Sequence, residues 1–162
     1  MPYNGIKAEA ARKRLAEVLA RKEVDFAPPV RGQQTSPYGF RMHPILKERK
    51  FHEGVDYGAR EGEPVYASED GVITGANAQI DPVQGRRVTI THPQGLQSKY
   101  LHLSRLSPKS LKGGMVKKGD LLGYVGSTGR STGPHLHYGM TMDGSSIDPA
   151  TFLTPKKRYA GV

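Results

Sequence analysis

The 162-residue sequence contains no cysteine, so a disulfide framework and any zinc site built from thiolates are both excluded. It also contains no tryptophan and only 4 phenylalanines, so the aromatic platforms that a single-strand nucleic-acid binder needs are scarce. No run of apolar residues approaches the length of a membrane span. We therefore expect no transmembrane segment in this chain and no cysteine ligands at any metal site.

The sequence also predicts no secretory signal peptide in this chain. Its apolar stretch would have to fall within residues 1–22, and charged side chains interrupt that region throughout. These are Lys7, Glu9, Arg12, Lys13, Arg14 and Glu17. The expectation is a chain that is cytosolic when made, a fragment of a longer exported protein, or a protein delivered by another route.

The composition is basic and rich in turn-forming residues. Lys and Arg outnumber Asp and Glu by 24 to 15, which gives a net charge of +9. Such a surface favours an anionic partner, whether nucleic acid, acidic lipid or an anionic cell wall, and charge alone does not choose among them. With 36% hydrophobic residues, 20 glycines and 12 prolines, the sequence indicates one turn-rich β domain rather than a helical bundle.

Three segments follow one another along the chain. Residues 6–23 carry apolar positions at helical spacing and predict an N-terminal packing helix, and residues 24–35 predict a linker. Residues 36–153 alternate short β-like runs with glycine turns, which predicts an antiparallel sheet or an open barrel. Residues 154–162 predict a solvated basic tail. The expected strands are 65–67, 71–78, 87–91, 98–103, 121–125 and 135–142.

Two histidines stand one residue apart in the last predicted strand. Because successive side chains of a strand point to opposite faces, His135 and His137 share one face and Leu136 points toward a core. Two imidazoles on one face could both bind a metal, or could divide metal binding and proton transfer between them. Taken alone, a His-x-His pair is more often a surface strand with two unrelated histidines.

The segment 52–56 adds a histidine and a carboxylate. If it is extended, His52 and Asp56 lie on the same face. With one imidazole from the 135–142 strand, they make a set of two nitrogens and one oxygen with an open fourth position, which is typical of a catalytic zinc site. Copper or iron could use the same ligands, so zinc is an inference from the ligand set.

A third histidine segment is Tyr100-Leu101-His102-Leu103-Ser104. Its alternation predicts a half-buried strand that places Tyr100, His102 and Ser104 on the polar face. In isolation, such a histidine is more often a hydrogen-bonded surface residue than a catalytic one. Beside a zinc site, His102 could position water or stabilise an oxyanion.

Together these segments resemble the lysostaphin/LytM-type zinc metallopeptidases, which cut peptide cross-links or stem peptides of bacterial peptidoglycan. The resemblance rests on His52-x3-Asp56, Tyr100-Leu101-His102-Leu103 and Gly133-Pro134-His135-Leu136-His137. It spans residues 36–153 and is specific as a set, although each piece alone is weak. The flanking segments that agree in order are 36–44, 54–57, 62–67, 70–73, 116–123 and 126–129.

The resemblance implies a fold, a cofactor and a set of roles. The fold would be mainly β, an open antiparallel β-sheet with a groove. One Zn²⁺ per chain would be bound by His52, Asp56 and His137, and His102 and His135 would form the catalytic pair. All five positions keep the family's residue types.

Other groove residues are assigned on weaker grounds. Substrate contacts are expected from His43, Tyr100, Ser131 and Thr132, and a structural role for His43 is equally open. His92, which precedes a proline in a turn, is expected to be exposed.

The predicted function is that of a zinc endopeptidase acting on peptidoglycan at the cell wall or in the periplasm, as a monomer and without a nucleic-acid partner. The absence of a signal peptide would suit a phage lysin or virion-associated enzyme, or a fragment of an exported bacterial protein. The main alternative is a non-catalytic wall-binding or regulatory module of the same fold. A serine hydrolase is disfavoured because the sequence lacks a Gly-x-Ser-x-Gly elbow. The cleaved bond is left open.

Overall fold

A computed structural model describes residues 9–10, 13–14, 16–17, 24–42, 45–153 and 157–162. Within residues 24–42, 45–153 and 157–162, twelve strands dominate, with one short helix, α1 (Pro108–Lys112), and two 3-10 turns, Pro93–Gly95 and Pro149–Thr151. The strands are β1 (Gln33–Ser36), β2 (Gly39–Met42), β3 (Arg49–His52), β4 (Val55–Gly58), β5 (Pro64–Tyr66), β6 (Gly71–Asp81), β7 (Gly85–Thr91), β8 (Leu96–Leu106), β9 (Gly114–Val116), β10 (Leu121–Val125), β11 (His135–Met142) and β12 (Ser145–Ile147).

The strands form one large antiparallel sheet and one small hairpin. The path of the large sheet is β1-β4-β11-β8-β7-β6-β9, with β10 joined to β5 and β8, and β12 joined to β11. The hairpin β2–β3 stands outside this sheet. The prediction of an open, mainly β fold is therefore confirmed, and each of the predicted strands overlaps an observed one.

Alternation along the central strands places the core on one side of the sheet. In β7, Val88 and Ile90 have no exposed surface, while the residues between and beside them are partly exposed. In β11, Leu136 and Tyr138 are fully buried, and the two histidines beside them are partly exposed. One face of the sheet therefore packs on the core, and the other is left to line a groove.

Residues 24–35 pack on this domain and are not the linker that their prolines and glycine predict. Phe26 and Val30 lie in the hydrophobic core with 0% and 1% exposure. The segment continues into β1, which pairs with β4. The described part of the predicted basic tail also packs on the domain, because the Ala160 amide donates to the Pro28 carbonyl at 2.7 Å. Both ends of the predicted domain are thus extended by packed segments.

The helix predicted over 6–23 falls mainly on residues outside the described set. Residues 9–10, 13–14 and 16–17 are helical and exposed, and the structure delimits no helix there, so the prediction stays a prediction. Among the residues that the structure describes, no helix is both long enough and apolar enough to cross a membrane.

Candidate metal centre

The groove face of the sheet brings together three of the predicted metal ligands. Strands β4 and β11 are antiparallel neighbours, and their register pairs Asp56 directly with His137. His52 ends β3, and the two residues that follow turn the chain into β4. The sequence prediction depended on an extended segment 52–56, but this segment is not one extended strand. Instead, a turn between the hairpin and the main sheet brings His52 beside Asp56.

Three side-chain atoms converge at this point. The Asp56 Oδ1 atom lies 3.2 Å from His52 Nε2 and 3.0 Å from His137 Nδ1, and the two nitrogens are 3.2 Å apart. His52 and Asp56 are 6% and 7% exposed. Ligand atoms about 2.1 Å from a tetrahedral zinc ion would lie about 3.4 Å from one another. The observed separations are close to that value, so the donor set fits Zn²⁺.

The partner of the second ring nitrogen sets the tautomer of His52. Its Nδ1 atom lies 2.8 Å from the Pro37 carbonyl oxygen, which can only accept a hydrogen bond. Nδ1 therefore carries the proton, and Nε2 presents a lone pair toward Asp56. A lone pair and a carboxylate oxygen 3.2 Å apart repel each other unless a cation or a proton lies between them. This is the arrangement of an orienting carbonyl behind a metal-binding imidazole.

Burial and hydrogen bonding favour the metal-binding protonation states. Burial alone would raise the pKa of Asp56, but the His137 and His52 rings beside its carboxylate outweigh burial and hold the pKa well below its usual value. Burial lowers the pKa of His137. At neutral pH the carboxylate is therefore ionised and the His137 ring is neutral, which are the forms that bind metal ions.

His102 and His135 face the same groove. The His102 Nδ1 atom donates to the Thr128 carbonyl at 2.6 Å, and His135 Nδ1 donates to the Gly133 carbonyl at 2.9 Å. In both rings Nε2 is then the basic atom, and that of His135 lies 3.8 Å from Asp56 Oδ1. The ring centroids are 4.9 Å apart. Burial lowers the pKa of His102 to about 4, so its ring is neutral at neutral pH.

A bulge in β8 turns His102 into the groove. Arg86 of β7 pairs with Leu103, whereas Val88 pairs with Tyr100, so β8 has one residue more than β7 in this interval. His102 takes up the difference with a left-handed φ of 65°, which few residues other than glycine adopt. Regular alternation stops at this residue, and therefore Leu101 and His102 both line the groove.

The predicted substrate contact by Tyr100 is wrong. The sequence predicts this residue on the groove face, but it is fully buried and lies in the core. Its hydroxyl bonds Ser98 Oγ at 2.8 Å and Ser68 Oγ at 3.0 Å. Tyr100 therefore has no surface with which to contact a substrate.

The remaining candidates have mixed outcomes. Ser131 and Thr132 line the groove, and Ser131 Oγ lies 3.1 Å from His135 Nδ1. His43 lies outside the described residues. The expectation that His92 is exposed is wrong, because the residue is only 4% exposed. Its ring nitrogens bond the Asp70 carbonyl at 2.6 Å and Ser98 Oγ at 2.7 Å.

The candidate metal ligands, His102 and His135 lie in one open groove with a volume of about 640 Å³. The three candidate metal ligands and the two further histidines all line it, as do four cationic side chains to which the motifs assign no role. Those cations are Arg41, Lys50, Lys99 and Arg130. Arg41 falls in the flanking segment 36–44, but no motif assigns a role to any of the four. The fold brings β2, β3, β8 and the loop between β10 and β11 to the same surface.

Comparisons with known proteins agree with this geometry. A sequence model of peptidase family M23 matches residues 50–149. The chain is 46% identical over 121 residues to the DD-carboxypeptidase/endopeptidase Mpg of Neisseria meningitidis serogroup B, covering 75% of this chain and 27% of Mpg. It is 40% identical over 116 residues to the peptidoglycan DD-endopeptidase ShyC of Vibrio cholerae, covering 72% and 26%. The chain thus spans about a quarter of the length of these relatives.

Solved structures share the fold as well. A zinc-containing peptidase from Vibrio cholerae superposes with a TM-score of 0.66 at 34% identity, covering 76% of this chain and 39% of that one. The catalytic domain of lysostaphin from Staphylococcus simulans superposes with a TM-score of 0.64 at 31% identity, covering 75% and 91%. The family match includes the strands that carry His52, Asp56, His102, His135 and His137. The chain therefore belongs to peptidase family M23, the lysostaphin/LytM-type family that its histidine motifs resemble.

Proposed function

We propose that this chain is a zinc-dependent endopeptidase that hydrolyses peptide bonds of bacterial peptidoglycan. The observation that carries the proposal is the convergence of His52, Asp56 and His137 next to two further imidazoles in an open groove. Three nitrogen and oxygen ligands with an open position are typical of a catalytic zinc site, whereas structural zinc sites have four protein ligands. One Zn²⁺ per chain would be bound there.

When bound, Zn²⁺ would polarise the scissile carbonyl and lower the pKa of a coordinated water toward neutrality. His52 Nε2, Asp56 Oδ1 and His137 Nδ1 would hold the ion. The Pro37 carbonyl keeps the His52 ring in the required tautomer. These groups do not exchange protons with the substrate, and their task is to fix where the chemistry occurs.

Proton transfer falls to His102 and His135. Their Nε2 atoms are the basic ones, since both Nδ1 atoms donate to backbone carbonyls. One ring would take a proton from the attacking water as its oxygen bonds to the carbonyl carbon. The same ring would then return that proton to the amine nitrogen as the carbon–nitrogen bond breaks, and the other ring would orient the attacking water through its Nε2 atom.

The relatives and the groove charge support the substrate class. Both curated relatives carry names of DD-peptidases, and that of ShyC includes peptidoglycan. Four cationic side chains line the groove against two carboxylates, Glu53 and Asp56. This excess of positive charge would attract a peptide that carries carboxylates. We therefore propose a DD-endopeptidase that acts on cross-link peptides at the cell wall or in the periplasm, rather than on neutral glycine bridges.

The test is digestion of purified peptidoglycan. The zinc-loaded protein is incubated with DD-cross-linked sacculi, and new amino and carboxyl termini are identified by mass spectrometry. We expect cleavage of cross-linked dimers, loss of cleavage with a chelator, and recovery with added Zn²⁺. Zinc content is measured on the same sample. A folded, zinc-loaded protein that produces no new termini but binds the sacculi would instead support the non-catalytic wall-binding alternative.

A further inference from the structure

We propose that Arg41 is a positioning residue for the metal ligand Asp56. It holds the outer carboxylate oxygen, Oδ2, and thereby directs Oδ1 toward the two ligand imidazoles. The inference rests on the proposed zinc centre and assigns a role to a residue of the hairpin β2–β3, which lies outside the main sheet.

Arg41 reaches the metal centre from this separate hairpin. Its Nη1 atom lies 3.0 Å from Ser36 Oγ and 3.6 Å from Asp56 Oδ2. Ser36 and Asp56 are register partners in β1 and β4, so the guanidinium spans a paired position of the main sheet. The Arg41 side chain is 27% exposed and that of Asp56 is 10% exposed, so solvent screens this ion pair only in part.

The two oxygens of Asp56 have different surroundings. Oδ1 lies 3.2 Å from His52 Nε2 and 3.0 Å from His137 Nδ1. Oδ2 lies near the Arg41 guanidinium. A carboxylate whose outer oxygen is held by a cation keeps one orientation, and it binds a metal through one oxygen rather than swinging between two modes. Groups that hold the ligands of a metal in this way typically change its affinity about 10–100-fold when they are removed.

The segment from Ser36 to Arg41 supports both ligands that flank the turn at 53–54. The Pro37 carbonyl accepts from His52 Nδ1 at 2.8 Å, and Arg41 holds Asp56. The planar guanidinium offers several fixed donors, so it can bond Ser36 and face the carboxylate at the same time. A lysine carries one compact charge and would keep the attraction to Oδ2 but lose part of this geometry.

The experiment measures the affinity of the chelator-stripped protein for Zn²⁺ by competition with an indicator dye. The variants are Arg41→Gln, Arg41→Lys and Ser36→Ala. The matched control is Arg49→Gln on the other strand of the same hairpin, because the Arg49 guanidinium lies over the Phe40 ring, 4.7 Å from its centroid. Arg41→Gln should weaken zinc binding by about 10–100-fold. Arg41→Lys and Ser36→Ala should weaken it less, and Arg49→Gln should leave it unchanged.

A kinetic readout separates positioning from substrate binding. With saturating Zn²⁺, Arg41→Gln should regain turnover with an unchanged KM. Unchanged zinc affinity in a folded Arg41→Gln protein would overturn the inference, and a raised KM with that result would make Arg41 a substrate contact. If Arg41→Gln does not fold, the same comparison is made with Ser36→Ala. A wild-type protein that binds no Zn²⁺ would refute the metal centre itself, which is a different outcome from equal affinities in wild type and variant.

Discussion

His135 and His137 lie one residue apart on β11, yet their ring nitrogens have different partners. His137 directs Nδ1 to Asp56 Oδ1 at 3.0 Å, whereas the Nδ1 atom of His135 donates to the Gly133 carbonyl. His135 therefore presents Nε2, and that atom is 3.8 Å from the same carboxylate oxygen. The same residue type on one face of one strand therefore has two settings, with Nδ1 on Asp56 at position 137 and Nδ1 on a backbone carbonyl at position 135.

We expect this difference to separate two variants. His137→Ala removes one of the three proposed zinc ligands, so it should abolish zinc binding and turnover together. His135→Ala leaves the ligands in place, so it should keep zinc and lose turnover by about 10²–10³-fold, the usual cost of removing a group that stabilises the transition state. Zinc content by atomic emission and the rate of sacculus digestion are the two measurements. Equal loss of zinc in both variants would contradict the division of roles.

His92 is a buried histidine on the core side of the sheet, away from the groove. Burial lowers its pKa below 6.5, and its ring lies in a chain of hydrogen bonds through Ser98 and Tyr100 to Ser68 and then to Tyr138. The folded protein therefore holds this ring neutral at a pH at which the unfolded chain already binds a proton. This difference in pKa between the folded and unfolded chain makes the folded protein less stable at low pH. Its free energy of unfolding is highest above pH 6.5 and decreases as the pH falls toward the lowered pKa.

The pH dependence of unfolding measures this effect. In zinc-free protein, the free energy of unfolding should decrease between pH 6.5 and 5, and a single histidine contributes at most about 1.4 kcal/mol per pH unit. His92→Gln should flatten the slope relative to wild type, because it removes one of the histidines whose pKa is lowered by folding. Urea unfolding at several pH values gives both slopes. Coincident slopes would mean that His92 has the same pKa in the folded and unfolded chain.

At the scale of elements, the site depends on two interruptions of regular strand geometry. The turn at 53–54 brings His52 of the hairpin beside Asp56 of the main sheet. The bulge in β8 gives His102 its left-handed conformation and turns it toward the groove. Each interruption brings a side chain to a position that an unbroken strand would not give it.

These interruptions explain which features the sequence could predict. Alternation in β11 correctly placed His135 and His137 on one face with Leu136 in the core, because that strand is regular. The same rule placed Tyr100 beside His102 and was wrong, because the extra residue in β8 is defined only by its pairing with β7. The basic groove residues had no assigned role for a different reason, because they come from strands and a loop that only the fold brings to one surface.

Gly54 allows the close approach of the turn to β11. A Cβ atom there would lie 2.6 Å from both His137 Nε2 and the Tyr138 carbonyl oxygen. Gly54→Ala must therefore displace either the His137 ring or the strand, and we expect weakened zinc binding and a lower unfolding temperature. Gly133→Ala is the matched control, because no atom lies within 4 Å of its added Cβ. Similar zinc affinities in the two variants would show that the turn tolerates a side chain.

The whole molecule is larger than the segment that the motifs define. Motif resemblance begins at Ser36, but Phe26 and Val30 fill the core ahead of it. The C-terminal segment packs against residues 25–26, because Lys157 Nζ donates to the Phe26 carbonyl at 2.5 Å and pairs with the Asp25 carboxylate at 2.7 Å. Proline and glycine in 24–35 predicted a linker, since local composition reports turns and not whether the turning chain is packed on a sheet.

A chain that starts at Val24 should therefore be markedly more stable than one that starts at Ser36. The shorter chain loses both buried side chains, and a buried Phe→Ala change alone costs about 3–5 kcal/mol, against a typical total of about 5–15 kcal/mol. It also loses residues Gln33 and Gln34, which pair β1 with β4 beside Asp56. Thermal unfolding of the two chains, with Phe26→Ala in the longer one, gives the comparison. Equal unfolding temperatures would mean that the segment only covers the domain. A large deficit in the shorter chain, partly reproduced by Phe26→Ala, would mean that the metal centre is built on a sheet whose core closes only when this segment is present.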